Sequence, residues 1–546
     1  MSAPVVTRAQ RRARVHGDGA PVPGLARPGR GEITTVALLT IAFALLLGVW
    51  AILTPVFDAP DESIHVNSAL RTALGDEWVP AGQGLLYESV DVMRRTVDSV
   101  PAADRPTVGE LLEEDPGLSE GRDQMTQHPP TWYLIGGTVL RLVDFEELRW
   151  DRATILLRLL DVATIAPLPL LAWATVRRVT RSPRTALVGA LSVFFVPQLA
   201  SIGASFTNDA PVILCGAVIV WLGSRYLTGD VRWRVVVGLA LATGAAALSK
   251  GTALPLIPFV AVVLLLGGAA TLPLWRRLVR LVAVGGATLA LSGWWWIGNV
   301  LRYGTLQPNG MVGQRPVVPW PEGETVNLGL FANSLWNGLA SSFWGNFGSL
   351  AIPMSPIVTD TLTVATIVPL LAFAYRRRDR LGLSVAMSLP PLALVGSLAL
   401  TSFNSYQDTQ GIYAIQGRYL FPGLVAAILL VAIAWRRFLP LAPMREGFGR
   451  VLVVGAPLVA AYALTVAYRG FYENQQLEIT RDGLALAALL LPVPAWFLVG
   501  LVLATAAVGI VAVVRCWRAV SGVPLAGAPA DADAPGPTEV ASEPVP

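Results

Sequence analysis

The chain has 546 residues, 53% of them apolar and only 14% charged, with a mean hydropathy of +0.56, which excludes an ordinary water-soluble enzyme. Its 41 basic and 37 acidic residues leave a net charge of +4. The basic residues flank apolar runs instead of clustering, which argues against nucleic acid as a partner.

Residues 1–32 combine Arg8, Arg11, Arg12, Arg14, Arg27 and Arg30 with many Gly and Pro, and read as a disordered basic cytoplasmic tail. The run Ile33–Val56 is too long for a signal-peptide core and lacks a small-residue cleavage site before Asp58, so it is expected to stay as the first membrane helix. Further spans are predicted near 153–176, 185–203, 210–227, 233–248, 252–268, 279–298, 357–375, 381–400, 419–435, 451–468 and 484–514. The fold class is therefore an all-α polytopic membrane protein with about 12 (11–13) transmembrane helices over residues 33–515. Residues 516–546 read as a second disordered cytoplasmic tail. Arginines concentrate in the segments that this topology places in the cytoplasm, which orients both termini inward.

The external side then receives 57–130, 299–356, 401–418 and 469–483. The first piece holds 15 acidic residues against five Arg in 74 residues, and its apolar spacing suggests short helices along the membrane surface. The stretch 131–145 is apolar but short, and a crossing there would invert every later loop. It is either re-entrant or evidence of a miscounted span. Cys215 and Cys516 lie far apart in membrane segments with no C-x-x-C pattern, so no disulfide framework is expected.

Two of the three histidines bracket the large loop: His65 in P-D-E-S-I-H and His128 in Q-H-P-P. On a helix after Pro60, Asp61 and Glu62 share a face with His65. This reads as a general base with its orienting partners, as a divalent-metal site built from Asp61, Glu62, His65 and His128, or as a capped amphipathic helix with solvated acids. A second external acid, Asp209, follows Asn208 in S-F-T-N-D-A-P and reads as a cap or as a partner that tunes Asp61. Lys250, the one lysine of the chain, and Arg418 both sit at span ends, where they either snorkel to the interface or hold a lipid phosphate. Asn299, Arg302, Tyr303, Trp320, Trp336, Asn337, Trp344 and Asn346 form an Asn and Trp mixture suited to sugar or to an interfacial belt. Arg158 and Asp161, three apart, are expected to neutralise each other. No Walker A motif and no dinucleotide fingerprint is present.

Taken in order, D-E-S-I-H, L-R-T-A-L-G-D-E-W-V-P, Q-H-P-P-T-W-Y, F-T-N-D-A, L-S-K-G-T-A-L, G-W-W-W-I-G-N and Q-G-R-Y-L-F-P resemble the GT-C superfamily of polyprenyl-phosphate-dependent glycosyltransferases. The resemblance is strongest to the bacterial membrane family called domain of unknown function 2142 (DUF2142), with protein O-mannosyltransferases and aminoarabinose transferases as distant relatives, and covers roughly 55–425. It implies a GT-C-like bundle, with Asp61 as the catalytic carboxylate in preference to Glu62, Asp209 as the second external acid, and Lys250 at the lipid phosphate. Arg418, His65, His128, Asn208 and Trp344 are the further substrate-binding candidates. His65 replaces a tyrosine of the aminoarabinose transferases and His128 a basic residue, which leaves sugar choice and a divalent metal on Asp61, His65 and His128 open.

The expected activity is sugar transfer from a polyprenyl-phosphate donor to a cell-envelope glycan, a lipid-linked saccharide or a protein, on the external face of the plasma membrane. The alternatives are a flippase or transporter of a lipid-linked saccharide, which should pair charges near the midplane on broken helices, and an inactive assembly subunit.

Overall fold

The computed structural model describes residues 27–311, 316–376, 381–473 and 478–522, so most of both predicted tails lies outside the described residues. The protein is a multi-pass, almost wholly helical bundle, with two small two-stranded sheets among the described residues. Nine described helices are long and apolar enough to cross a membrane, from Arg30–Leu53 to Ala495–Val520, and three shorter apolar segments lie at 183–195, 233–247 and 251–266. Each expected span has a helical counterpart, but three of the twelve are shorter than a crossing needs, several of the others extend further than expected (Leu274–Tyr303, Leu381–Thr409, Ala442–Tyr472), and the terminal helices reach into the expected tails, from Arg30 and to Val520. The last span begins at Ala495, and the residues before it form the separate helix Arg481–Leu490. Cys215 and Cys516 are free thiols.

The acidic first loop is a small folded unit. Helices Glu62–Leu74, Glu88–Thr96 and Val108–Glu114 surround an antiparallel pair, Leu85–Tyr87 with Leu118–Arg122. Their apolar faces close over Val66, Leu70, Val90, Met93, Leu111 and Leu157, a core separate from that of the main bundle. The strand pair was not expected. The ambiguous stretch 131–145 resolves into an eleven-residue helix, Thr131–Arg141. At about 1.5 Å per residue it is too short to cross a bilayer. It lies instead against Glu62–Leu74, and the approach is close because position 137 is glycine: a Cβ there would collide with Thr72 and the Ala73 backbone. Thr72 Oγ1 donates to the Tyr133 carbonyl at 2.6 Å across this contact.

One buried arginine ties that unit to the bundle. Arg158, on helix Trp150–Ile165, donates to Ala51 O (2.6 Å), Thr54 O (2.7 Å) and Pro55 O (2.9 Å), where the first span ends with its last carbonyls unpaired. Its remaining donors meet Glu62 two-on-two, Nε to Oε1 at 2.7 Å and Nη2 to Oε2 at 2.6 Å. Glu62 also accepts from the Phe57 and Phe206 backbone N–H groups. The partner expected for Arg158 was Asp161; the structure pairs it with Glu62, while Asp161 accepts from the Thr207 N–H at 2.8 Å. Glu62 enters from the first loop and takes the Nε and Nη2 side of the guanidinium fork, and Asp161 reaches instead to the turn before Asp209.

Candidate active site

Four charged side chains from distant segments meet at one end of the bundle. Helices Asp209–Leu227 and Leu424–Phe438 point away from this end, while Arg30–Leu53 and Trp233–Ala247 finish at it, so Asp61, Asp209, Lys250 and Arg418 share one level. Gly216 sets one of these approaches, because a Cβ there would overlap the Pro422 carbonyl and push Asp209–Leu227 off the turn that carries Arg418.

The charges alternate. Arg418 Nη2 donates to Asp61 Oδ2 at 2.5 Å, Arg418 Nε lies 3.7 Å from Asp209 Oδ2, and Lys250 Nζ donates to Asp209 Oδ1 at 2.7 Å. Tyr419 sits beside both cations, each 5.3 Å from its ring centre. Lys250 and Arg418 are buried, whereas the Asp61 side chain keeps 30% of its surface, which makes it the open member of the series. Lys250 therefore does not snorkel, and Arg418 is no surface anchor. Asp61 occupies the left-handed region (φ 63°, ψ 7°), a conformation that costs most non-glycine residues about 1–3 kcal/mol and that aspartate tolerates better than most. Gln124 Nε2 donates to its other oxygen at 3.3 Å.

Neither Asn208 nor Asp209 caps its helix. The Asp209 carboxylate is drawn to Lys250, and both polar atoms of the Asn208 side chain are buried without a partner. His128 Nδ1 and Gln416 Oε1 are likewise buried without a hydrogen-bond partner. Buried polar atoms are almost always satisfied, so these side chains keep hydrogen-bonding capacity that no protein group uses.

Burial would raise the Asp61 carboxyl, but the Arg418 guanidinium overrides it, helped by His65 and Lys250, and holds it below the usual carboxylate range. Burial, reinforced by Lys250 and opposed by Asp61 and Asp209, brings the His65 imidazole down to about 3. Burial, with Lys250 and His65, also holds His128 well below its ordinary value. Both rings are thus neutral at physiological pH. His65 Nδ1 shares a 2.8 Å hydrogen bond with the Tyr133 hydroxyl.

Two expected site residues stand elsewhere. Glu62 is fully buried, with its carboxylate consumed by Arg158 and two backbone N–H groups, so the structure makes it a brace beside Asp61 and not a proton acceptor. Trp344 is buried in the bundle core and donates Nε1–H to Thr363 at 2.8 Å, so it offers no ring face to a sugar at Asp61. The segment 299–356 is also less of a loop than expected, since Leu328–Trp344 is helical. Among the described residues no group of three or more His, Cys, Asp or Glu is placed to hold a metal ion. Asp61, His65 and His128 do not form a ligand set, because Arg418 and Tyr133 engage the first two. Gln124, Tyr419 and Tyr133 escaped the sequence reading. Tyr419, adjacent to Arg418 in Q-G-R-Y, and Tyr133, at the end of Q-H-P-P-T-W-Y, each stood inside a motif that pointed to it.

Residues 43–429 match a family described as predicted membrane protein (DUF2142). Among solved structures the chain is similar to ArnT from Cupriavidus metallidurans in the apo state, at 16% identity over 90% of this chain and 74% of that one, with a TM-score of 0.49. For the same protein bound to undecaprenyl phosphate the values are 14%, 90%, 77% and 0.44. For the Archaeoglobus fulgidus oligosaccharyltransferase tethered with an acceptor peptide they are 12%, 91%, 56% and 0.39. No curated protein sequence matches.

Proposed function

The chain belongs to the DUF2142 family of predicted membrane proteins, and we propose that it is a glycosyltransferase that moves a sugar from a polyprenyl-phosphate carrier to an acceptor hydroxyl. The carrying observation is the series Asp61, Arg418, Asp209, Lys250, in which a part-exposed carboxylate stands beside two buried cations. Displacement of a lipid phosphate from an anomeric carbon requires these two functions together, a proton acceptor and a fixed positive field for the leaving group. The order of motifs shared with polyprenyl-phosphate-dependent transferases supports the same reading.

The acceptor oxygen bonds to the anomeric carbon as its proton passes to Asp61. The bond from that carbon to the phosphate oxygen breaks, and its electron pair leaves with the lipid phosphate, whose added charge falls to Lys250 and Arg418. A single displacement inverts the anomeric carbon. Arg418 is the shared element: an incoming phosphate competes for its guanidinium, which loosens the ion pair and makes Asp61 a better base. His65, His128 and Asn208 supply neutral hydrogen-bonding groups for sugar hydroxyls. The acceptor belongs to the cell envelope, as a glycan, a lipid-linked saccharide or a protein. The clustering of Arg177, Arg178, Arg276, Arg277, Arg436 and Arg437 at the opposite end supports an external site with cytoplasmic termini.

The test is transfer from radiolabelled undecaprenyl- and decaprenyl-phosphate sugars by the purified chain in proteoliposomes supplied with envelope extract. Wild type should label the acceptor, and Lys250→Met should lower the rate about 10²-fold, the loss expected for one leaving-group contact. Failure with every donor, together with movement of a labelled lipid-linked saccharide across the vesicle, would replace this reading with a flippase. The two cations occupy the electrostatic role that a divalent ion fills in other transferases, so EDTA should leave the rate unchanged. A loss restored by magnesium or manganese would overturn the metal-free form of the mechanism.

A further inference from the structure

His65 stands one turn beyond Asp61, with its backbone N–H on the Asp61 carbonyl at 3.1 Å, and Tyr133 meets it from helix Thr131–Arg141. Both side chains are buried, and 2.8 Å separates His65 Nδ1 from the Tyr133 hydroxyl oxygen. Trp78 stacks on the tyrosine ring at 5.3 Å and Phe206 meets it edge-on at 6.5 Å, so the phenol is held in place. Which of the two atoms donates follows from what else each can bond. Among the described residues the Tyr133 hydroxyl has no hydrogen-bond partner besides His65, and the His65 ring none besides Tyr133. The phenol keeps its proton, because burial, reinforced by Asp123, Asp209 and Asp61, raises it well above its ordinary range. The imidazole, brought down to about 3, is neutral and carries one proton. On Nδ1 that proton would occupy the phenol oxygen and leave the phenolic proton buried without an acceptor. On Nε2 it leaves Nδ1 free to accept from Tyr133, and the pair is satisfied.

We propose that Tyr133 is a positioning residue of the candidate active site: its hydroxyl donates to His65 Nδ1, fixes the imidazole as the Nε2–H tautomer, and so sets His65 to donate a hydrogen bond to a hydroxyl oxygen of the bound sugar. The bond made by one ring nitrogen decides what the other can offer a ligand. Lys250 and Arg418 already carry the charge that a phosphate needs, so an uncharged N–H suits an uncharged oxygen. A sugar hydroxyl at this point is read as an acceptor, and an analogue lacking that oxygen leaves the N–H unpaired. The sugar as partner rests on the transferase reading, whereas the tautomer follows from the two side chains alone.

The chain has three histidines, His16, His65 and His128, so nitrogen-15 NMR of the full chain labelled at histidine reads the tautomer directly, with H65Q identifying the His65 signals. At pH 7 wild type should show His65 as one neutral form, protonated at Nε2 and hydrogen-bonded at Nδ1, and Y133F should lose the Nδ1 hydrogen-bond shift and admit the second tautomer. A proton on Nδ1 in wild type, or a spectrum that Y133F leaves unchanged, would overturn the proposal; the first result needs no variant to fold. Kinetics with the undecaprenyl-phosphate sugar that wild type transfers supply the second reading. Y133F should raise the KM for that sugar about tenfold, the worth of one hydrogen bond, with kcat little changed. H65N, whose amide stands near Nδ1, should raise it as much, and H65Q, whose amide reaches the place of Nε2, should recover part of that loss. In the H65Q background Y133F should add little, because no imidazole remains to be fixed. A full additional loss there, or a fall in kcat at constant KM, would reduce Tyr133 to a packing role. Absence of transfer by wild type would overturn the transferase reading and with it the sugar as partner, while the NMR result decides the tautomer by itself.

Discussion

Replacing Asp61 with Asn should lower the rate of sugar transfer by about 10²–10⁴-fold, the range expected when a general base is removed. The change is isosteric, Asn tolerates the left-handed backbone (φ 63°) nearly as well as Asp, and the side chain is the exposed member of its charge series, so the fold should survive. Donor binding should also persist, since Arg418 and Lys250 keep their charge and Arg418 loses a competing anion. The signature is a collapse of kcat with an unchanged or lower KM. Equal losses in kcat/KM and thermal stability would instead assign Asp61 a structural role. Wild-type activity in the Asn variant would reject it as the base. The pH profile supplies a separate check. Arg418 holds the Asp61 carboxyl below the usual carboxylate range, so in the free protein Asp61 is already ionised from about pH 5 upward. The acid limb of kcat/KM caused by this group should therefore lie below about pH 4. Neither His65, held near 3, nor His128 should produce a limb near pH 6.5.

Much of this arrangement was legible in the chain because membrane constraints are severe. Apolar runs of fixed length and arginine-marked ends leave few topologies, and the spans fall where hydropathy puts them. Polar residues at span ends stood out for the same reason. Asp61, Asp209, Lys250 and Arg418 are each conspicuous beside apolar sequence, and the structure brings these four together. What periodicity does not encode is partnership across long separations. Arg158 and Asp161 are neighbours in sequence, yet Arg158 pairs with Glu62, 96 residues away, while its other donors go to the carbonyls of Ala51, Thr54 and Pro55 at the end of the first span. The packing of Trp344 was hidden for a related reason. Its composition fits a sugar platform, but only packing against Phe343 and Thr363 shows that its ring is spent in the core. The strand pair Leu85–Tyr87 with Leu118–Arg122 left almost no trace, since its second strand, L-S-E-G-R, has neither β-branched residues nor an alternating face. It is held by contacts such as Asn67 with the Tyr87 N–H and with Asp123, which sequence spacing does not reveal.

The largest stability effect is expected at the brace, not at the site. Arg158 and Glu62 have no exposed side-chain surface, and together they close the carbonyl end of the first span, the entry to helix Glu62–Leu74 and the turn before Asp209. Truncating Arg158 to Ala leaves the Glu62 carboxylate buried without its counter-ion and reopens the carbonyls of Ala51 and Thr54, a loss of about 3–5 kcal/mol. Glu62→Gln removes the charge from one side only and strands the guanidinium, so it should be nearly as damaging. The double replacement E62Q/R158M removes both charges and should recover part of the loss, which a double-mutant cycle on thermal unfolding in detergent would measure as a favourable coupling. Additive losses would mean that the two side chains act separately, Arg158 as a helix cap and Glu62 as a backbone acceptor. The same cycle run on transfer rate separates brace from catalyst. Because Glu62 directly follows Asp61, any shift of this pair moves the Asp61 carboxylate relative to Arg418. Partial recovery of stability in the double variant should therefore bring back part of the activity, whereas Asp61→Asn should remain inactive however stable the protein is made.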